Sequence, residues 1–457
     1  MYKKHKHIHF IGIGGIGMSG IAQILRLQGY TVSGCDECSN SKIITYLSNI
    51  GCKIYNEHNK DHVKDADVLV YSSAIKQDSP EIQAAIKKGI PVIPRAIMLA
   101  ELMRMKYGVA VAGSHGKTTT TSIISHILIE AKLDPTIIIG GVLKKISNNA
   151  QLGEGDLLIA EADESDRSLL YLNPSFAVVT NIDAEHLDTY KDLDDVKETF
   201  KNFLARLPFY GKAFLCIDDP NIQSILPMPH ISSVKYGLHK TADIRGEIVE
   251  LKKSQSIFNV YSNEQKLGQI ILNMPGEHNI LNSLAAIALS LELDVKFEEI
   301  QKALKSFTGI ERRFEFKGTY NGADIFDDYG HHPTEIKNCL KIAVNKKNKK
   351  LHIIFQPHRF SRTQKLWNDF IDTFSNNQID TLYITDIYPA SEAPIDGITS
   401  EKLVKEIKLK NPNLNIFYNK TYEEITCNIK DKLFDGDMLL TIGAGKVNQI
   451  GEKLLTL

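Results

Sequence analysis

The sequence predicts an α/β protein of three domains. Two glycine-rich loops carry that prediction, each lying between an apolar run and a helical pattern. Beyond residue 311 a third stretch of apolar runs alternating with helical segments extends it.

The first loop is Gly12-Ile13-Gly14-Gly15-Ile16-Gly17. His7 to Ile11 before it reads as a short buried strand, and Met18 to Gln28 after it as a helix. A second strand, Tyr30 to Gly34, leads to Asp36, nineteen residues beyond Gly17. This spacing fits a dinucleotide fingerprint with an acidic residue for the ribose. Any nucleotide diphosphate is served equally well, because what is read is a pyrophosphate on a helix N-terminus. Gly14, Gly15, Ile16, Gly17 and Asp36 are therefore candidate substrate-binding residues, with a tight βα turn as the plainer alternative. Ser72 and Ser73 join them, because they end the strand Asp67 to Tyr71. Pro80 to Lys88 reads as a helix with proline early in its first turn, and Ile90 to Ile93 as a further strand. Residues 1–105 form a Rossmann-like domain on this reading.

The second loop is Gly113-Ser114-His115-Gly116-Lys117-Thr118, followed by Thr119 and Thr120. It follows the apolar run Val109 to Ala112, and helix formers continue from Thr121 to Ala131. That is the layout of a phosphate loop: backbone N–H groups cradle phosphate, Lys117 reaches the β/γ-phosphates and the Thr118 hydroxyl suits Mg²⁺. The strict pattern wants a glycine where Val111 stands. The strand Asp156 to Glu161 delivers an acid at its end, as a Walker B strand does. Glu161, Asp163, Glu164 and Asp166 follow one another closely, which is ordinarily a solvated face but here favours a metal, with Glu161 the leading ligand. The strand Phe176 to Asn181 leads to His186, which chemistry alone leaves balanced between metal and structure. From Ala242 to Met274 short alternating stretches read as antiparallel strands, and Leu281 to Leu293 as a helix. His278 and Asn282, at i and i+4, suit either flanking a flat base or helix capping. Residues 106–310 thus read as a phosphate-loop ATPase-like domain with a mixed sheet.

Residues 311–457 read as a second Rossmann-like domain, with strands at Ile353–Phe355, Leu382–Thr385 and Met438–Ile442. Its strand ends carry Asp327-Asp328-Tyr329-Gly330-His331-His332 and Gln356-Pro357-His358-Arg359-Phe360-Ser361-Arg362, and Arg312-Arg313 opens it. Arg359 and Arg362, at i and i+3, could fork onto a carboxylate or phosphate. Together these ends read as one wall of a cleft. Gly443-Ala444-Gly445-Lys446 lacks phosphate-loop spacing and reads as a structural turn.

The chain of 457 residues carries 54 basic and 55 acidic residues, a net charge of −1, so no nucleic-acid or membrane surface is expected. The basic start does not build a signal-peptide core, and no apolar run approaches the ~20 residues of a membrane span. Six dispersed cysteines suit a reducing cytosol, hence a cytoplasmic protein. Cys35 and Cys38 form C-x-x-C without the context of a redox pair or zinc knuckle.

The motifs resemble those of the ATP-dependent Mur ligases of bacterial cell-wall synthesis. They run from His9 to Gly20, Ala112 to Thr120, Glu161 to Asp166, Arg312 to Phe314, Asp327 to Pro333 and Gln356 to Thr363, in family order. Ser114 stands where the family usually has threonine, and the missing first Walker glycine is a family habit. The resemblance implies that the first domain binds UDP-N-acetylmuramate, the second ATP, and that the third helps bind the amino acid and closes over ATP. It implies amide ligation of L-alanine to the lactyl carboxylate through an acyl phosphate. Lys117 and Thr118 would hold phosphate and Mg²⁺, Glu161 and His186 would complete the metal sites, and His278, Asn279 and Asn282 would lie by the nucleotide. Arg313, Asp328 and His331 would come from the closing domain, and His358, Arg359 and Arg362 would face the muramate and amino acid. A homodimer is compatible with all of this. The rival readings are a relative that adds a peptide, an NAD-dependent dehydrogenase built on Gly12–Asp36, and a nucleotide-binding switch.

The first loop should accordingly take a UDP-sugar and not NAD. Calorimetry on the full chain should give binding of UDP-N-acetylmuramate and no heat with NAD; tight NAD binding without UDP-sugar binding would reverse the reading.

Overall fold

A computed structural model describes residues 6–37, 41–72, 75–143, 148–186, 189–376, 378–390 and 392–457. Ser73 and Cys38 lie outside the described residues. The chain is mixed α/β with three sheets in two compact units.

The first sheet is built from β1 (His7–Ile11), β2 (Thr31–Cys35), β3 (Lys53–Tyr55), β4 (Val68–Tyr71) and β5 (Val92–Pro94), in the order β3-β2-β1-β4-β5, all parallel. The helix Ile16–Leu27 follows β1, and Gly15 is its N-cap. The strand order reverses direction between β1 and β4, so the Gly12–Gly17 loop and Ser72 share the crevice at that switch point. β3 was not foreseen, because three half-buried residues carry too little pattern.

The second sheet holds β6 (Tyr107–Ala112), β7 (Thr136–Leu143), β8 (Asn148–Gln151), β9 (Leu157–Glu161), β10 (Phe176–Val179), β11 (Lys212–Cys216), β12 (Ser232–Gly237), β13 (Ile244–Leu251), β14 (Ser256–Ser262) and β15 (Gln265–Leu272). Their order is β15-β14-β13-β12-β11-β10-β6-β9-β7-β8. β6 is therefore flanked by β9 and β10, both parallel to it, and the residues after all three strands meet at one edge. The phosphate-loop helix is Lys117–Glu130, so it starts four residues earlier than its apolar pattern suggested. The antiparallel reading of residues 242–274 holds for β14 and β15, but β13 pairs with β12 in parallel. The helix Glu277–Glu292 takes in His278, Asn279 and Asn282. Within this unit the first sheet's helix Ile16–Leu27 is tied to β8: Gln23 Nε2 donates to Ala150 O at 2.9 Å and Asn149 Nδ2 to Ile16 O at 2.6 Å.

The second unit carries β16 (Glu315–Tyr320), β17 (Ala323–Asp328), β18 (Leu351–Phe355), β19 (Thr381–Ile384), β20 (Asn415–Tyr418) and β21 (Met438–Ile442), in the order β16-β17-β21-β18-β19-β20. Only β16 runs antiparallel. The helix Pro333–Lys346 starts with a capping box between His332 and Glu335 and with proline in its first turn. Gly443 to Lys446 forms the turn from β21 into the helix Asn448–Leu454, as expected. The core on one face of this sheet centres on Phe355, which tilts against Phe370 and Phe374 at ring distances of 5.6 and 4.8 Å.

All three rings are wholly buried, so removing one leaves a cavity as well as lost transfer energy. Phe355→Ala should destabilise this unit by about 3–5 kcal/mol. Urea unfolding followed by hydrogen exchange should show the loss in the third sheet, with protection of β6 and the helix Lys117–Glu130 unchanged.

Candidate active site

The phosphate loop is held by backbone geometry that admits no side chain at two positions. Gly113 has φ +135°, and a Cβ there would sit 2.0 Å from Thr180 Oγ1. Gly116 has φ +82°, and a Cβ there would sit 2.7 Å from Asn282 Oδ1. The chain after β10 then pins the loop. Ser114 N donates to Asn181 O (3.1 Å) and His115 N to Asn181 Oδ1 (2.8 Å). Thr180 Oγ1 donates to His115 O (2.6 Å), and Asp183 N to Ser114 Oγ (2.8 Å). His115 Nε2 lies 3.0 Å from Asp183 Oδ2. Thr119 is buried in the first helical turn, and Thr120 Oγ1 donates to Asn282 Oδ1 at 3.2 Å. Asn282 and the phosphate loop are thereby brought together, with Asn279 and His278 one turn or less away on the same helix.

Lys117 Nζ donates to Gly113 O at 2.6 Å and to both Glu164 oxygens at 2.8 and 2.7 Å. Burial works against its charge, but Glu164 and Asp163 outweigh it and hold its pKa above the ordinary lysine range. Asp163, in spite of burial, is held below the usual carboxylate range by Lys117 and Arg95. Glu164, second to Glu161 as a candidate in the acidic run, is 1% exposed. Arg95 escaped sequence reading; it follows β5 and lies 3.6 Å from Asp163 Oδ2.

Thr118 Oγ1 donates to Glu161 Oε2 at 3.2 Å, and Gly140 N to Glu161 Oε1 at 2.7 Å. The structure groups His186 with Glu164 (3.5 Å) and Glu185 (3.8 Å). Atoms of Glu164, Glu185 and His186 all fall within 4.8 Å of one another. His186 holds φ +55°, a left-handed conformation that is costly outside glycine and clusters at functional positions. A hydroxyl and several carboxylates next to a phosphate loop fit a divalent cation, magnesium in particular. Glu164 belongs to the acidic run that favours a metal in the sequence, whereas Glu185 carries no such signal.

At the first sheet, Gly14 N donates to Asp36 Oδ2 at 2.8 Å, which fixes the carboxylate across the glycine loop. Ile16, the first helical residue, is 40% exposed, and Gly17 packs against the Arg95 guanidinium. Ser72 N donates to Ile11 O at 3.3 Å.

In the second unit the foreseen residues gather at the C-terminal ends of β17 and β18. Asp328 accepts from Phe314 N (2.7 Å) and Gly330 N (2.8 Å), and burial, only partly offset by Arg313, pushes its pKa up to about 6. Arg313 lies 3.8 Å from Glu335 Oε1. His331 and His358 stand with ring centroids 5.8 Å apart, and His358 stacks on Tyr388 at 5.4 Å. Burial holds both imidazoles down, to about 3 and about 4, so both are neutral at physiological pH. Arg359 and Arg362 do not share one helical face. The helix starts only at Phe360, and Arg359 precedes it with φ +68° and ψ 136°, a glycine-like conformation. Arg362 Nη1 instead lies 3.2 Å from His358 Nδ1, and Arg359 Nη1 4.0 Å from Glu392 Oε1.

Family models cover most of the chain. The Mur ligase catalytic domain matches residues 7–107, the Mur ligase middle domain 111–290, and the Mur ligase glutamate ligase domain 312–445. The chain is 49% identical to the UDP-N-acetylmuramate–L-alanine ligase of Desulfatibacillum aliphaticivorans, covering 100% of this chain and 99% of that protein. It is 48% identical to the enzyme of that name from Geobacter sulfurreducens, covering 100% and 98%. Among solved structures, the UDP-N-acetylmuramate–alanine ligase of Thermotoga maritima matches with a TM-score of 0.82 at 26% identity over 99% of both chains. The murein peptide ligase of Psychrobacter arcticus matches with a TM-score of 0.72 at 25% identity over 98% of both. A phosphate loop closed by Lys117 and Glu164, a glycine loop closed by Asp36 and three matched domains in one order all agree: the chain belongs to the Mur ligase family.

Proposed function

We propose that this protein is an ATP-dependent ligase that joins L-alanine to the lactyl carboxylate of UDP-N-acetylmuramate in peptidoglycan precursor synthesis. The observation that carries the reading is a pair of separate glycine-loop helix N-termini in one compact unit, one closed by Asp36 and the other by Lys117. Two anion cradles call for two phosphorylated ligands, one more than a nicotinamide cofactor alone provides. Full-length identity of 48–49% to alanine ligases favours alanine over a peptide as the second substrate.

The functional division is 1–105 for the UDP-sugar, 106–310 for ATP and 311–457 for the ligase domain. Gly14, Gly15, Ile16, Gly17, Asp36 and Ser72 are proposed to bind the diphosphate and ribose. Gly113 to Thr119 are proposed to cradle the ATP phosphates, with His278, Asn279 and Asn282 beside the nucleotide. A carboxylate oxygen of the lactyl group attacks the γ-phosphorus, the bond to ADP breaks, and an acyl phosphate forms. The alanine amine then attacks that carbonyl, loses a proton, and phosphate leaves. Lys117 neutralises charge that develops on the transferring group, which is the main demand of phosphoryl transfer. Magnesium, when bound, would add charge neutralisation there, with Thr118, Glu161, Glu164, Glu185 and His186 as its donors. Arg313, Asp328, His331, His358, Arg359 and Arg362 are proposed to orient the carboxylate and the amino acid. The strained backbone at Arg359 and the neutral imidazoles of His331 and His358 suit preorganised polar contacts. No helix of the described residues is long and apolar enough to cross a membrane, and a cytoplasmic site of action is part of this proposal.

Lys117→Ala should lower turnover by at least about 10²–10³-fold, the usual cost of removing one charge-stabilising donor. It also strands the buried Glu164 carboxylate, at a cost to stability of up to about 3–5 kcal/mol. Lys117→Ala/Glu164→Gln should recover the melting temperature without recovering turnover; recovery of both would remove Lys117 from the chemistry.

Asp328 gives a pH signature. Its folded pKa, about 6, lies above the unfolded value of about 3.9, so the folded state binds the proton more tightly. Its contribution to stability is full below about pH 4 and is lost as pH rises through about 6. The melting temperature of the wild type relative to Asp328→Asn should therefore fall across that window, and a constant difference would contradict the assignment.

A further inference from the structure

Beneath the first sheet's C-terminal edge lies a cluster that the ligase reaction does not use. Cys35 ends β2, Glu81 opens the helix Pro80–Lys87, His9 sits within β1, and His58 precedes the short turn Lys60–Val63. Cys35, Glu81 and His9 are each 0% exposed. His58 Nδ1 lies 3.3 Å from Cys35 Sγ and 3.2 Å from Glu81 Oε1, and Sγ lies 3.4 Å from the same Oε1. His9 brings a ring nitrogen within 4.8 Å of both the sulfur and the carboxylate.

The hydrogen bonds around His9 fix its tautomer. His7 Nδ1 lies 2.9 Å from Asp65 O, a pure acceptor, so Nδ1 carries the proton and neutral His7 Nε2 accepts. Ser33 Oγ stands 2.8 Å from that Nε2 and 2.8 Å from His9 Nδ1. Its one hydroxyl proton goes to His7, so Ser33 Oγ accepts from His9 Nδ1–H. His9 Nε2 is left as a bare lone pair in the interior, and it has no hydrogen-bond partner. His62 Nδ1, 3.6 Å from Glu81 Oε1, is a second buried nitrogen without a hydrogen bond.

We propose that Cys35, His58, Glu81 and His9 form a zinc site in the nucleotide-sugar domain. Four-coordinate Zn²⁺ has Zn–N near 2.0–2.1 Å and Zn–S near 2.3 Å, so neighbouring donors stand about 3.3–3.6 Å apart. Of the edges among Cys35, His58 and Glu81, 3.3 and 3.4 Å fall in that range and 3.2 Å lies just below it, while His9 stands within 4.8 Å of the sulfur and the carboxylate. One thiolate and one carboxylate cancel the charge of Zn²⁺, so the occupied site is neutral, as burial requires. Metal uptake releases the Cys35 thiol proton to solvent. Ser33 on His9 Nδ1, and Asn59 N (2.8 Å) and Ser79 Oγ (2.9 Å) on the Glu81 carboxylate, are the outer partners that orient such ligands. His58 and His62 are 27% and 10% exposed and give the ion its way in. The proposed partners of Cys35 are three residues from other segments of the domain.

The test is the full chain loaded with Co²⁺ alone, then with Zn²⁺ alone, in excess Mg²⁺ to occupy oxygen-rich sites. Cobalt should give a thiolate charge-transfer band with the intense visible bands of four-coordination. One zinc per chain should survive desalting, and Cys35→Ser should lose both the band and that zinc while keeping ADP binding. The carboxylate and imidazole cluster at Glu164 holds no sulfur, so it cannot produce the band. A wild-type cobalt form without the band, or a band that persists in Cys35→Ser, would overturn the proposal.

Discussion

The ATP side of the molecule depends on one buried ion pair. Lys117 is drawn back onto the Gly113 carbonyl and the Glu164 carboxylate, and this contact joins the loop after β6 to the acidic run after β9. A loop rich in backbone N–H groups and a lysine would be strongly positive without an anion. Glu164 supplies that anion from within the protein and keeps Lys117 charged in spite of burial. Phosphate oxygens can take over the role of Glu164, because both present the same charge to the same ammonium. The pair therefore preorganises the loop and leaves an exchangeable partner, whereas the glycines at 113 and 116 make the close approach of Thr180 and Asn282 sterically feasible.

What was legible in the sequence was local. Strand, glycine loop and helix follow one another within thirty residues at both cradles, so Gly12–Gly17 and Gly113–Thr118 could be placed from pattern alone. What was not legible was tertiary choice among similar residues. Glu161 stands out because it ends its strand, but Asp163, Glu164 and Asp166 look alike in a run, and only the fold turns Glu164 toward Lys117. Arg359 and Arg362 could be named from charge and spacing, but no pattern shows the one residue of glycine-like backbone at Arg359 that delays the helix to Phe360. The parallel pairing of β12 and β13 escaped as well, since two residue pairs of ladder leave no periodic trace.

The same contrast separates the two kinds of chemistry in the first sheet. Asp36 could be read from its spacing to the glycines, and its carboxylate does cross to Gly14 N. One residue earlier, Cys35 reads as half of a C-x-x-C without the context of a redox pair or zinc knuckle. Its neighbours come from β1, from the segment before Lys60–Val63 and from the helix Pro80–Lys87. No spacing rule links such residues, and only the orphaned lone pair on His9 draws attention to them.

An amide ligase of this kind needs two phosphorylated ligands and one amino acid together. Phosphate release from ATP, followed against a panel of amino acids with and without UDP-N-acetylmuramate, reads out that requirement. Release should occur only when the UDP-sugar and L-alanine are both present, with other amino acids and alanyl peptides well behind. Release that needs no UDP-sugar, or that prefers a peptide over L-alanine, would contradict it.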